Sequence, residues 1–303
     1  MGLIGSILDL IVLAAAGRWL LPHVYRFLTA HGQLEPNYAG LMIPRGMGIV
    51  LWLLLWLQEL MLQVAAWVLQ SNKWMWSANL GNLGSQLPDW EATNRTYALA
   101  ATIIFLLGWT DDVIGSKTVK GLRGHFKYWI ESKTVSMGAV KAIGTLAAAI
   151  WLVISLRNGE TPIWQMGVQL LLLALMTNAL NLMDVRPGRS LKVYVGIALL
   201  VVVVGLLGMT IPMIGLLPAM PVCIGALLLY KSDIGGRGML GDAGANLLGF
   251  TLGYGVILSF PWLAQCVMMI GLIFLHQLAE ASSLTKLIER NRFLNWLDRL
   301  GRT

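Results

Sequence analysis

Charge is scarce in this sequence. Asp, Glu, Lys and Arg make up 12% of its 303 residues, against 57% hydrophobic residues and a mean hydropathy of +0.69. Soluble domains carry about twice that share of charge, so a soluble globular fold is excluded and the chain reads as an integral membrane protein. Cysteine is nearly absent. Cys223 and Cys266 stand in apolar runs with no paired spacing and no partner His, which leaves them as packing residues and argues against a disulfide framework or a zinc site. No segment alternates with period two, as a membrane barrel would require. Nothing resembles a soluble second domain. The N-terminus opens on Leu3-Ile4-Gly5 with no basic leader and no small-residue cleavage pattern, so residues 2–21 are expected to be a retained span and not a signal peptide.

In place of charge there is a series of apolar runs. Crossing about 30 Å of hydrocarbon takes roughly 20 helical residues, and suitable runs recur at about 2–21, 46–69, 96–110, 136–156, 163–183, 193–209, 211–230, 244–260 and 262–282. Small residues within them suit helix-on-helix packing. The expected fold is all-α, a polytopic transmembrane helical bundle of about nine spans with a range of eight to ten. It would form one domain over 1-283, followed by a C-terminal amphipathic helix at 284-303. In that last segment Leu287, Ile288, Phe293, Leu294, Trp296, Leu297 and Leu300 oppose Lys286, Arg290, Arg292, Arg299 and Arg302, the pattern of a helix lying on the membrane surface.

Lys and Arg collect in the loops after odd-numbered spans, from Arg26 and Arg45 to the C-terminal segment, whereas the opposite loops hold Lys73, Arg95 and Arg157. The positive-inside bias therefore puts the N-terminus outside and the basic loops in the cytoplasm, for a multi-pass protein of the cytoplasmic (inner) membrane. The net charge of +7 is accounted for by this orientation and by anionic headgroups or phosphorylated substrates, with no nucleic acid. The loop from about Gln70 to Thr96, with Trp74, Trp76 and Trp90, is expected outside, in the interfacial aromatic belt. Asn94-Arg95-Thr96 fits the short glycosylation acceptor pattern.

The few acids are unevenly placed. Asp111 and Asp112 end the third span, Asn178, Asn181 and Asp184 end the fifth, and Asp242 begins the eighth, all on the cytoplasmic side in the same topology. Residues three apart line one helix face, so the second group aims amide and carboxylate oxygens one way. Adjacent carboxylates near a bilayer repel and cost several kcal/mol unless paired, roughly on insertion scales. A bound cation relieves both problems, and all-oxygen ligands favour Mg²⁺, with Mn²⁺ as the alternative, over zinc. A single acidic pair would merely cap a span at the water interface; three groups on one side point to a site. The loop after Asp112 adds Lys117, Lys120, Arg123, His125, Lys127 and Lys133, which could grip phosphates or simply obey the positive-inside bias. The glycine-rich stretch from Asp233 to Gly244, with Arg237 and Gly241, lets backbone amides approach a ligand.

These residues together resemble the polyprenyl-phosphate N-acetylhexosamine-1-phosphate transferases, the phospho-N-acetylmuramoyl-pentapeptide transferase-like glycosyltransferase family 4. Leu107-Gly108-Trp109-Thr110-Asp111-Asp112 with Gly121-Leu122 and Lys127, Asn178 to Asp184, Met239 to Gly244, and Ile43-Pro44-Arg45-Gly46-Met47-Gly48 match its motifs in order. The resemblance implies a Mg²⁺-dependent transfer of a sugar-1-phosphate from a UDP-sugar to undecaprenyl phosphate, releasing UMP, in cell-envelope glycan precursor synthesis. It implies an active site facing the cytoplasm and makes a homodimer plausible. Asp242 would be the principal metal ligand, with Asp111 and Asp112 binding metal or orienting the lipid phosphate. Lys127 would pair with a phosphate, and Asn178, Asn181, Asp184, Arg186, Arg189, Arg45, Arg237 and Gly241 would bind substrate. The chain departs from the pattern in two places. Asp184 is followed by Val185-Arg186-Pro187-Gly188-Arg189 where the family has a second acid, and the family's His-rich stretch is reduced to His276. A non-catalytic relative that binds the lipid phosphate or nucleotide sugar as carrier, regulator or scaffold is the alternative. A secondary transporter fits less well, because no inverted repeat stands out and the acids sit at span ends.

Overall fold

The computed structural model describes residues 3–71, 83–114, 136–157, 159, 161–208 and 213–302. A bilayer core offers no water to backbone groups, so long apolar segments close their hydrogen bonds within helices. In chain order the elements are α1 (Leu3–Ala30), the strands β1 (Leu34–Pro36) and β2 (Met42–Pro44), α2 (Ile49–Ser71), α3 (Leu83–Ile114), α4 (Met137–Ser155), α5 (Ile163–Met183) and α6 (Arg189–Gly208). A 3-10 turn at Met213–Ala219 leads into α7 (Met220–Ile234), followed by α8 (Gly241–Ser259), α9 (Trp262–Ala281), α10 (Leu284–Arg290) and α11 (Arg292–Arg299). The two strands pair antiparallel with Leu34 opposite Pro44. The fold is the expected all-α polytopic bundle: among the described residues, eight helices are long and apolar enough to cross a membrane.

The remaining expected span is α8, which falls short of that apolarity because of its position. Asp242, Asn246 and several glycines dilute its hydropathy, yet nearly all of it is buried, against α3, α5 and α6. A helix sheathed in protein meets no lipid and can carry polar side chains that find partners inside. Its glycines allow backbones to touch, as small residues do between membrane helices. A Cβ on Gly48 would stand 2.3 Å from Cα of Gly244, one on Gly108 2.5 Å from Cα of Ala243, and one on Gly249 2.3 Å from the Met176 carbonyl oxygen.

Several boundaries differ from the sequence reading. Helix α1 continues to Ala30, with Pro22 inside it, instead of ending near residue 21. Helix α3 starts at Leu83, so the segment expected as a loop up to Thr96 is helical from that point; Trp74 and Trp76 lie outside the described residues. Asn94 is buried there, with Nδ2 donating to Glu59 Oε2 at 2.5 Å, and an amide enclosed between helices is no glycosylation acceptor. The seventh span ends at Ile234, four residues beyond expectation. The C-terminal amphipathic segment is not one helix. It breaks at Asn291, whose side chain accepts from the N–H groups of Phe293 and Leu294 and so starts a new helix, as an N-cap does.

Candidate active site

Successive spans run in opposite directions, which gathers the C-terminal ends of α3 and α5 and the N-terminal ends of α4, α6 and α8 at one end of the bundle. All the acidic motif residues lie there. Asp112, with a side chain 4% exposed, reaches from the end of α3 to the start of α8. Its Oδ1 accepts from the N–H of Asp242 at 2.9 Å and its Oδ2 from the N–H of Ala243 at 3.1 Å. A carboxylate at a helix N-terminus satisfies free N–H groups and complements the helix dipole. Arg45 binds the same Oδ1 at 2.6 Å and Glu35 at 3.0 Å. Gly241 makes this close approach workable: its φ is +74°, and a Cβ there would stand 2.5 Å from Asp112 Oδ2.

Asp111, one residue earlier, belongs to a different set of contacts. Lys141 on α4 places Nζ 2.6 Å from Asp242 Oδ2 and 3.5 Å from Asp111 Oδ2, with its side chain 13% exposed. Asn181 Nδ2 donates to the same Asp242 oxygen at 3.2 Å. One ammonium thus holds two carboxylates that would otherwise repel. The sequence reading passed over Lys141, although a lysine just inside an apolar run, where an unpaired charge is costly, is a signal in its own right.

Of the other residues expected at the site, Asp184 accepts from Ser190 Oγ at 2.7 Å. Burial pushes its carboxyl well above the ordinary carboxylate range, and neighbouring Asp233 pushes the same way. Asp233 itself accepts from the Gly188 N–H at 2.7 Å. Asn178 is exposed and bonds none of these carboxylates, and Arg237 is exposed on the turn before α8. His276 bonds its own helix, with Nδ1 2.8 Å from the Leu272 carbonyl, and joins none of the carboxylates. Lys127 lies outside the described residues.

Arg186 and Arg189, expected to bind substrate, both face the C-terminal segment in this structure. Arg189 is 4% exposed and grips Asp298 of α11 with Nε and Nη2 at 2.7 and 3.0 Å, while its Nη1 donates to Thr285 Oγ1 at 3.1 Å. Arg186 lies 3.9 Å from Glu289. Where the resembled family has its second acid, the Pro187 carbonyl accepts from Arg302 Nε at 2.8 Å. This departure in sequence is the dock for the C-terminal segment, whose partners lie about a hundred residues downstream and out of reach of any local reading.

The polar side chains that meet Lys141 are the carboxylates of Asp111 and Asp242, with the Asn181 amide beside them. Among the described residues no group of three or more His, Cys, Asp or Glu is disposed to hold a metal. However, Mg²⁺ usually takes one or two protein carboxylates and completes its shell with water and substrate phosphate. Asp111 and Asp242 are two carboxylates within reach of one cation, which in this structure is the Lys141 ammonium. Asp112 has both oxygens engaged by Arg45 and the start of α8.

Comparison with curated proteins finds no match. The sequence profile of glycosyl transferase family 4 matches residues 95–260, a stretch that runs from α3 through α8 and holds Asp111, Asp112, Lys141, Asn181, Asp184 and Asp242. That match spans more than half of the chain, which therefore belongs to glycosyl transferase family 4.

Proposed function

We propose that this membrane protein transfers a sugar-1-phosphate, an N-acetylhexosamine-1-phosphate by resemblance, from a UDP-sugar to undecaprenyl phosphate and releases UMP. The reaction would take place at the cytoplasmic face of the inner membrane, for cell-envelope glycan precursors. The observation that carries this reading is the contact of Lys141 with Asp111 and Asp242 beside Asn181, inside the segment that matches the family.

In the reaction an oxygen of the lipid phosphate forms a bond to the sugar-bearing phosphorus of the diphosphate. The bond from that phosphorus to the bridging oxygen breaks, and UMP leaves with the electron pair. A phosphate monoester is largely ionised at neutral pH, since its second pKa is about 6, so no side chain needs to act as a general base. Charge builds on the phosphoryl oxygens, and Lys141 is placed to balance it. Mg²⁺ or Mn²⁺ would be held by Asp242 and Asp111 with phosphate oxygens, and it would neutralise the diphosphate and polarise the reacting phosphorus. Asn181 keeps the Asp242 carboxylate oriented. Asp112 acts as a positioning residue, tying Arg45 to the first turn of α8. Lys127 remains the proposed partner of a phosphate, and Asn181 and Asp184 the proposed lining of the nucleotide side.

The test is UMP release by detergent-purified protein from a panel of UDP-sugars with undecaprenyl phosphate and Mg²⁺, run beside Asp242→Asn. Release that depends on lipid, metal and Asp242 supports the transferase and identifies its sugar. A folded protein that binds lipid phosphate but releases no UMP from any donor would overturn it in favour of the non-catalytic alternative.

A further inference from the structure

Several cations at this end of the bundle are neutralised within the protein. Arg45 has Glu35 and Asp112, Lys141 has Asp111 and Asp242, and Arg189 and Arg302 share Asp298. Arg26, Lys286, Arg290, Arg292 and Arg299 have no carboxylate partner among the described residues, and the same holds for Lys231 and Arg237, which stand together. These last two are exposed. With Tyr25, Leu228 and Ser232 they line a groove of about 420 Å³ between α1 and α7. We propose that this groove binds the phosphate monoester headgroup of a membrane lipid and serves as the place where the acceptor lipid is captured before it reaches the carboxylates.

Three features select that ligand. Two unneutralised cations beside a phenol and a hydroxyl recognise an anion that accepts several hydrogen bonds. The groove also has an apolar side. Leu228 lines it, and neighbouring Leu227 is 62% exposed on a helix long and apolar enough to span a membrane, where hydrocarbon can lie along α7. Finally, the turn presenting Arg237 is held in place. The Arg237 N–H donates to the Ser232 carbonyl at 3.0 Å, Asn37 Nδ2 to the Gly236 carbonyl at 3.0 Å, and the Met239 N–H to the Pro44 carbonyl at 2.8 Å.

The same turn connects the groove to the carboxylates. Arg237 is five residues before Asp242, so their backbones are at most about 18 Å apart even in a fully extended chain. A phosphate held by Lys231 and Arg237 is therefore near the reaction centre without being in it. The word acceptor rests on the proposed transferase function; binding of a lipid phosphate does not.

The experiment uses the full chain in phosphatidylcholine nanodiscs with a diazirine-bearing farnesyl phosphate as photoaffinity probe. Peptide mapping should place the label around Tyr25 and Leu228. Lys231→Gln combined with Arg237→Gln should lower labelling at least tenfold, with thermal unfolding unchanged because both side chains are exposed. The corresponding farnesol probe should label weakly in both proteins. Labelling that maps elsewhere, or that is equal in the double variant, overturns the site. Displacement of the probe by an equal concentration of inorganic phosphate overturns the lipid as ligand and leaves a free-anion site. If the wild-type protein releases no UMP but labels as expected, the transferase reading falls and the lipid site stands. UMP release without groove labelling removes only the site.

Discussion

One carboxylate holds the C-terminal segment to the bundle, and its removal has a calculable effect. Asp298, with a side chain 7% exposed, accepts four hydrogen bonds: Arg189 Nε at 2.7 Å and Nη2 at 3.0 Å, and Arg302 Nη2 at 2.8 Å and Nη1 at 3.0 Å. Lys192 Nζ adds bonds to the carbonyls of Leu297 and Asp298 at 3.1 and 2.7 Å. Asp298→Ala would strand Arg189 with Thr285 as its side-chain partner. Leaving one member of a buried pair alone costs about 3–5 kcal/mol if it stays buried. Undocking α10 and α11 lets Arg189 reach water, so the loss is limited to the docking free energy and is local. Amide hydrogen exchange over 284–302 should become rapid while protection in α3, α5 and α8 is unchanged.

The pH dependence of that dock follows from the same contacts. Burial alone would raise the Asp298 carboxyl, but the hydrogen bonds and charges of Arg189 and Arg302 outweigh it and hold it at about 2, against 3.8 for an unperturbed Asp. A carboxyl depressed in the folded state stabilises above its unfolded pKa, and the stabilisation disappears as pH falls through its folded one. Docking should be constant from neutrality down to about pH 4 and weaken between about 4 and 2, by about 1–2 kcal/mol after allowance for solvent screening. Arg189→Met combined with Asp298→Leu leaves no buried charge and should recover most of the protection, because an apolar pair of similar volume replaces a buried ion pair at little cost. Unaltered exchange over 284–302 in Asp298→Ala, or a double variant less protected than the single one, would refute the reasoning.

Other substitutions separate chemistry from support. Lys141→Met should leave the protein folded, because the bundle's packing is untouched, and should lower kcat for UMP release by about 100-fold, in the range seen when one charge-stabilising donor is removed. Asp112→Asn weakens the Arg45 pair and the start of α8, and should cost about 2–3 kcal/mol in thermal or denaturant unfolding as well as activity; Asp242→Asn should lose activity with a smaller change in stability. Gly249→Ala puts a methyl 2.3 Å from the Met176 carbonyl oxygen and should destabilise by about 3 kcal/mol. Gly271→Ala, which meets nothing within 4 Å, should unfold like the wild type.

The bundle was legible because apolar length is a backbone requirement: a segment that must cross hydrocarbon declares itself in composition. Its failures came where that requirement does not operate. The last turns of α1 lie past Pro22, and α3 begins among polar residues at Leu83, so neither leaves a hydropathy signal. The acids were found because Asp111, Asp112 and Asp242 stand at the ends of apolar runs. Their division of labour was not, since it depends on which oxygens face Arg45 and which face Lys141. Arg189 shows the limit most plainly. Beside Asp184 in sequence it reads as a substrate contact, yet its partner is Asp298, and only the folded chain brings the two together. Asp9 and Glu59 also went unweighed; both are buried between helices, where Gln58 donates to Asp9 and Asn94 to Glu59.

The tight seating of α8 has a mechanical consequence. Gly48 against Gly244, Gly108 against Ala243 and Gly249 against Met176 are backbone-to-backbone contacts with no room for a methyl group. A rod clamped on several sides without clearance neither slides nor turns. The depth of Asp242 in the bundle is therefore fixed when the chain folds, and in the proposed reaction the two phosphates must be brought to that depth. Any choice among donors of different size has to be made by the side chains around α8, because the helix itself cannot yield.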